Sequence, residues 1–342
     1  MTERLLTVDN LNVSFATRDG DNQAVRGVSF HVDKGETLGI VGESGSGKSV
    51  TARSVMSLLS APGRMTAGQI HFRGQDCSQW SEKEWRKLRG NRIAMIFQDP
   101  MTSLNPLKRI GQQLTEVLRR HRGLNKQEAN QEAARLLREV GIQDAEVRLR
   151  QYPHEFSGGM RQRVMIAMAL SCKPDLLIAD EPTTALDATI QAQILDLFKR
   201  LKQQSDTAIT LITHDLGVVA QVCTRVIVMY GGLIMEEGSV EDIFYRPQHP
   251  YTKGLLRSLP KRGSGSRERL VPIEGTPPDL LHPPVGCPFA QRCPQAFARC
   301  QEMPPVTEVA PGHRSKCWLS HEVVPVHERL ASSALEGVEH RE

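Results

Sequence analysis

The sequence has no apolar stretch able to cross a bilayer. Its longest apolar run, Val164–Leu170, falls far short of the ~20 residues a membrane helix needs. Met1-Thr2-Glu3-Arg4 has neither the charged start nor the long apolar stretch of a secretory signal. The chain is therefore expected to stay in the cytoplasm, with any membrane contact made through partners. Aromatics are scarce, at 5%, and Lys and Arg are scattered rather than blocked. Dense basic patches with interleaved aromatics, the footprint of nucleic-acid binding, are missing. The net charge of +4 argues for neither nucleic acid nor an anionic membrane surface. There is no internal repeat and no sustained heptad pattern. What remains is an ordinary globular composition, with 39% hydrophobic residues in 342, enough for one large domain or two smaller ones.

The chain opens on strand signals. Leu5–Val13 is apolar-rich, Asp19-Gly20-Asp21-Asn22 reads as a turn, and Val25–Val32 reads as a second strand. Thr37–Val41 is a short apolar run of the kind buried on both faces of a sheet. A helix is predicted from near Gly47 towards Ser60. Residues 99–170 read as a mostly helical insertion: Ile110, Leu114, Val117 and Leu118 recur at helical spacing, as do Ala133, Leu136, Leu137 and Val140. Asp175–Asp180, the helix Ile190–Gln203 and Ala208–Thr213 make a βαβ unit, hence a parallel sheet. Arg225–Met235 predicts a strand pair around Gly231-Gly232. After Pro260 the character changes. Lys261–Arg267 has the composition of a flexible linker, residues 271–318 are rich in Pro and Cys, and the last ~20 residues are polar and expected to be poorly ordered. The expected division is 1–259 and 260–342.

Gly42-Glu43-Ser44-Gly45-Ser46-Gly47-Lys48-Ser49 fits G-x-x-x-x-G-K-[ST], after an apolar strand and at the start of a helix. The glycines let backbone N–H groups curl around phosphate oxygens, and the helix N-terminus adds its positive end. Lys48 is expected to reach the β- and γ-phosphates of ATP, and the Ser49 hydroxyl to bind Mg²⁺. A Gly/Ser-rich turn is the bland alternative, and the strand, the helix and the Lys-Ser pair speak against it. Leu176–Asp180 is an apolar strand ending in Asp180 and Glu181. Asp180 is placed to hold Mg²⁺, and Glu181 is the candidate base for the attacking water. Alone, such a run is weak evidence, because a strand exit with solvated acids looks the same. His214 follows the strand Ala208–Thr213, so it lies at the same carboxyl edge, where ligands of parallel sheets bind. A lone His is more often structural; this position favours contact with the γ-phosphate. Gln98 ends the apolar stretch Ile93–Phe97 and is a candidate Mg²⁺ or water ligand that spacing alone does not establish.

Phe156-Ser157-Gly158-Gly159-Met160-Arg161-Gln162-Arg163 resembles the signature motif of ABC-type ATPases. The resemblance implies an α/β fold: a P-loop NTPase core with a mostly parallel sheet, an antiparallel β subdomain, the helical insertion and a small Cys-rich C-terminal region. It implies that two ATPase domains pack head to tail, so that Ser157, Gly158 and Gly159 serve the partner's nucleotide. Gln98 matches the family's Q-loop glutamine, Thr184-Ala185-Leu186-Asp187 its D-loop, with Asp187 crossing the dimer interface, and His214 its switch histidine. Met160 stands where the family often has Gln. The adenine-stacking aromatic has no clear match: Thr17 occupies the expected position, with Phe15 two residues before it. Within the family the chain is similar to oligopeptide and dipeptide importer subunits, through Phe97–Pro106, His249-Pro250-Tyr251-Thr252 and the Cys-rich stretch Gly286–Cys317. That implies a motor at the cytoplasmic face of the inner membrane. Its partners would be a second, related ATPase forming a heterodimer, two membrane permeases and an extracytoplasmic binding protein. Relatives carrying nickel or glutathione share the pattern. The rival from another class, a soluble ABC ATPase acting on nucleic acid, would be expected to carry coiled-coil or zinc insertions.

Seven cysteines in a cytosolic chain argue against structural disulfides. Cys77, Cys172 and Cys223 lie singly among apolar or helical residues and read as inert thiols. Cys287, Cys293, Cys300 and Cys317 are spaced C-x₅-C-x₆-C-x₁₆-C in a Pro-rich segment with little core of its own, where metal ligation can supply the folding energy. The intervals are wider than those of most zinc sites. They suit an iron–sulfur cluster at least as well, and the resemblance points to [4Fe–4S]; zinc, free thiols and disulfides stay open.

Overall fold

The short apolar runs are strands, and their complete burial explains why they carry no polar face. Thr37–Val41 (β3), Leu176–Asp180 (β7) and Ala208–Ile212 (β8) are buried at every residue. The computed structural model describes residues 3–99, 103–183, 188–204, 206–259 and 272–321. The other strands are β1 (Arg4–Thr17), β2 (Gly20–Asp33), β4 (Gly63–Phe72), β5 (Gln75–Asp76), β6 (Ile93–Ile96), β9 (Arg225–Tyr230), β10 (Leu233–Ser239), β11 (Thr307–Ala310) and β12 (His313–Ser315). The chain divides into two units. One comprises Met1–Thr7, His31–Thr37 and Ile70–Thr213, and the other Val8–Phe30, Leu38–Gln69 and His214–Glu342.

In the first unit β6, β7 and β8 pair in parallel, with Ile93 opposite Leu176 and Leu176 opposite Ala208. The helical insertion follows the predicted periodicity. Ile110, Leu114 and Leu118 of the helix Ile110–Arg122 are fully buried, as are Ala133 and Leu137 of the helix Lys126–Glu139; Val117 is only half-buried. Gly123 ends the first of these helices in the left-handed conformation, φ 66°. Asn125 starts the next, its side chain accepting from the N–H groups of Gln127 and Glu128 while Glu128 reaches back to the N–H of Asn125.

In the second unit β3 pairs in parallel with β9, Leu38 opposite Arg225. β9 and β10 form the expected antiparallel hairpin around Gly231-Gly232, whose φ values of 55° and 78° suit a tight primed turn. The helix after the phosphate loop runs Lys48–Val55, short of Ser60, because Ser57 turns left-handed at φ 50°. The Cys-rich segment contributes two strands that periodicity did not show. β12 pairs antiparallel with β10, and β11 with β12. Glu236 on β10 anchors this region. It is fully buried and accepts from the N–H groups of Gln248 and His249 and pairs with His313 Nε2 at 2.8 Å, so its carboxylate does not go unsatisfied. Cys287 and Phe289 share a core with Tyr230, Met235 and Tyr251. Among the described residues no helix is long and apolar enough to cross a membrane.

Candidate active site

The second unit carries the phosphate loop. Two of its glycines are forced by geometry. Gly42 sits at φ 150°, and a Cβ there would lie 2.1 Å from the Met229 carbonyl oxygen. Gly47, the helix N-cap, sits at φ 99°, and a Cβ there would lie 2.5 Å from the Ala24 carbonyl oxygen. The loop therefore presses its backbone against β9 and β2, and only glycine permits that approach. Lys48 is buried, and its Nζ donates to Gly42 O at 2.7 Å and Glu43 O at 2.8 Å, across the loop rather than away from it. Gly232 N–H of the β9–β10 turn donates to Ser46 O at 3.2 Å. Ser44 and Gly45 are exposed and Ser49 is half-buried.

The loop has a further support that sequence reasoning missed. The Glu43 N–H donates to the Tyr251 hydroxyl at 2.8 Å, and the Glu43 carboxylate is held by Arg292. Burial pushes the Tyr230 and Tyr251 phenols up, so both remain neutral hydroxyls.

The first unit carries the acidic strand end. Asp180 closes β7 and is fully buried, a position a carboxylate keeps only with compensation. Glu181 then leaves the strand at φ 48°, unusual for a non-glycine residue, which turns its side chain onto a different course from that of Asp180. Its N–H donates to Ile212 O at 2.9 Å. Gln98 Nε2 donates to Glu181 Oε2 at 2.8 Å, so two residues 83 apart, picked out separately in the sequence, are in contact. The signature residues are in this unit too. Ser157 caps the helix Gly158–Leu170 by accepting from Met160 N–H at 3.3 Å. Ser157 and Gly158 are exposed, and nothing lies within 4 Å of where a Gly158 Cβ would be. Gln162 of the same helix is buried and donates to Pro182 O at 2.8 Å, tying the signature helix to the segment after Glu181. His214 is exposed, two residues beyond β8. Asp187 lies outside the described residues. Of the adenine candidates, Phe15 packs on Gly63, where a Cβ would be 2.6 Å from its ring, and Thr17 is exposed with its hydroxyl donating to Gly20 O.

Cys287, Cys293, Cys300 and Cys317 line one cavity together with His249, Phe289 and Trp318. Burial pushes the thiols up, Cys287 to about 11 and Cys293 and Cys317 to about 12, with Cys300 raised as well. The ring Nε2 of His249 is buried with no hydrogen-bond partner. The expected metal-ligand set is thus met in its gathering but not in its geometry: among the described residues no group of three or more His, Cys, Asp or Glu is arranged to hold a metal ion. The space the four cysteines line is a cavity of only about 10 Å³, too small for a cluster. All seven cysteines are free.

Comparison with known proteins identifies the family. The ABC transporter family profile matches residues 25–184, and that of the oligopeptide/dipeptide transporter C-terminal region matches residues 235–300. The dipeptide transport ATP-binding protein DppD of Bacillus subtilis is 57% identical, over 93% of this chain and 95% of its own length. The oligopeptide transport ATP-binding protein OppD of Escherichia coli is 54% identical, over 92% of this chain and 93% of its own. Among solved structures, the dimeric bacterial ABC transporter cassette MJ0796 superimposes with a TM-score of 0.63 at 26% identity, covering 69% of this chain and 99% of that one. The chain belongs to the ATP-binding subunits of the ABC transporter family, in its oligopeptide and dipeptide branch.

Proposed function

We propose that the chain is the ATP-hydrolysing subunit of an importer that takes up oligopeptides or dipeptides. The observation that carries this is the presence, on one chain, of a glycine-forced phosphate cradle and a strand end offering buried Asp180 and Gln98-bound Glu181. The roles follow from chemistry. The N–H groups of Gly42–Ser49 and Lys48 hold the phosphates, with Ser49, Asp180 and Gln98 as ligands for Mg²⁺. Glu181 takes the proton of the attacking water, oriented by Gln98, and His214 contacts the γ-phosphate. Residues 1–259 form the ATPase domain, with its helical part around 99–170, and 260–342 an appendage. Relatives named for dipeptide and oligopeptide transport favour peptide over nickel or glutathione as cargo, and favour an importer over a nucleic-acid ATPase.

The subunit works with two permeases and an extracytoplasmic binding protein, at the cytoplasmic face of the membrane. Its partner ATPase is a second, related chain. The exposure of Ser157 and Gly158 supports pairing with another ATPase subunit, because an exposed helix start suits that subunit's nucleotide; Asp187 would cross the same interface. The purified chain alone is expected to hydrolyse ATP at least about tenfold more slowly than the assembled transporter, because the signature must complete the site. Affinity capture from solubilised membranes should recover the permeases and second ATPase, and the binding protein's ligand should be a peptide. Full activity of the isolated monomer, or capture without permeases, would defeat the reading.

We further propose that Cys287, Cys293, Cys300 and Cys317 hold a [4Fe–4S] cluster. Their gathering around one cavity, with the orphaned His249 Nε2 beside them, supports it. A four-thiolate site would stabilise a segment with few strands of its own, and seating it would spread the thiols apart. Anaerobic purification should give brown protein whose visible absorbance bleaches in air. Cys300→Ser should lose iron and expose residues 272–321 to protease. Colourless anaerobic protein with stoichiometric zinc would replace the cluster by zinc.

A further inference from the structure

Glu43 places a carboxylate in the very loop that receives a polyphosphate. Left alone, it would repel the ligand and could turn in to compete for the loop's own N–H groups. Arg292, from the cysteine-rich segment 249 residues away, prevents both. Its Nη1 lies 2.6 Å from Glu43 Oε2 and its Nη2 3.0 Å from Oε1, a fork-on-fork pair that fixes the carboxylate's direction as well as its charge.

The arginine has little freedom of its own. It is 6% exposed. Its Nε donates to Glu274 O at 2.8 Å, its Nη2 to Ile273 O at 3.0 Å and its Nη1 to the Tyr230 hydroxyl at 3.0 Å. The rings of Tyr230 and Phe289 lie 5.6 and 6.0 Å from its guanidinium carbon. The same cluster holds the loop's backbone: Tyr251, which accepts from Glu43 N–H, lies 4.6 Å from Tyr230 between ring centroids. A surface ion pair would not be built this way. Solvent-exposed pairs are mobile and weak, whereas every polar group here is aimed.

We propose that Arg292 is a positioning residue for ATP: by neutralising and holding Glu43 it keeps the phosphate loop receptive, so that nucleotide affinity depends on the docked C-terminal segment. The inference rests on the phosphate-binding role of Gly42–Ser49 given above. It assigns the segment a part in the motor itself.

The test is equilibrium binding of Mg-ATP to the full chain, with melting temperature recorded for each variant. Arg292→Met should weaken ATP about tenfold or more, the scale of one uncompensated charge near the phosphates. Arg292→Lys keeps the charge but loses the fork, and should lie between wild type and Arg292→Met; it also serves if Arg292→Met does not fold. Adding Glu43→Gln to Arg292→Met, or to Arg292→Lys in that event, removes the stranded carboxylate and should restore most of the affinity. In the assembled transporter the loss should appear in KM for ATP, with kcat at saturation nearly kept. Wild-type affinity in Arg292→Met overturns the inference. So does a double variant as weak as the single one, because a merely structural arginine would not be rescued by removing a charge. Failure of the wild-type chain to bind Mg-ATP would overturn the phosphate-loop reading instead.

Discussion

Glu181→Gln is expected to lower ATP turnover by about 10³-fold in the assembled transporter while ATP still binds. The substitution is nearly isosteric. Position 181 has φ 48°, which Gln adopts as readily as Glu, so no new backbone strain is introduced. The amide oxygen can still accept the hydrogen bond that Gln98 Nε2 now gives to Glu181 Oε2 at 2.8 Å. Only basicity is removed. The groups assigned to holding phosphate and Mg²⁺, Lys48, Ser49 and Asp180, are untouched. The variant should therefore accumulate with ATP bound, as a locked dimer of ATPase subunits. Steady-state turnover and retained nucleotide, measured on the same preparation, check it. Turnover within tenfold of wild type would move the base to another residue.

The parts of this site that could be read in the sequence are those in which local geometry dictates residue type. The phosphate loop is one. Gly42 and Gly47 occupy backbone conformations and close approaches open only to glycine, so their spacing is a direct imprint of structure. β3, β7 and β8 are another, because burial on both faces leaves nothing but an apolar run. Elements that depend on distant partners were hidden. β4 is largely exposed at its start and carries no clean alternation, and the helix Glu82–Leu88 buries only Trp85. β11 and β12 are short; β12 is a strand because β10 offers it a hydrogen-bonding edge, and β11 because β12 does. The helix after the phosphate loop looked longer than it is, since nothing in a serine warns that Ser57 turns left-handed. Arg292 was invisible for the same reason. It stands in a stretch read only for its cysteines, and no local pattern connects it with Glu43. By contrast, Gln98 and Glu181 were each legible as ends of apolar runs, yet their contact was not.

Gly42→Ala is expected to abolish measurable ATP binding and to lower the melting temperature by roughly 5–10 °C. Two costs combine. The φ of 150° lies where side-chain-bearing residues rarely go, at about 1–3 kcal/mol. The new Cβ would also stand 2.1 Å from Met229 O and 2.8 Å from Ser46 Oγ. Met229 O belongs to the backbone of buried β9, which cannot yield like a flexible side chain. The loop would have to lift away from β9 instead. Lifting would pull Gly42 O from Lys48 Nζ, now 2.7 Å apart, and disturb the turn in which Ser46 O accepts from Gly232 N–H. The N–H groups would then no longer converge on one phosphate. Gly45 supplies the internal comparison for stability. It also has positive φ, 78°, but nothing lies within 4 Å of its would-be Cβ. Gly45→Ala should cost only the backbone term, about 1 kcal/mol, so its melting temperature should fall much less than that of Gly42→Ala. Equal losses in the two variants would mean that φ alone, and not the approach to β9, makes the loop need glycine. Unaltered ATP affinity in Gly42→Ala would mean that this loop is not where the phosphates bind.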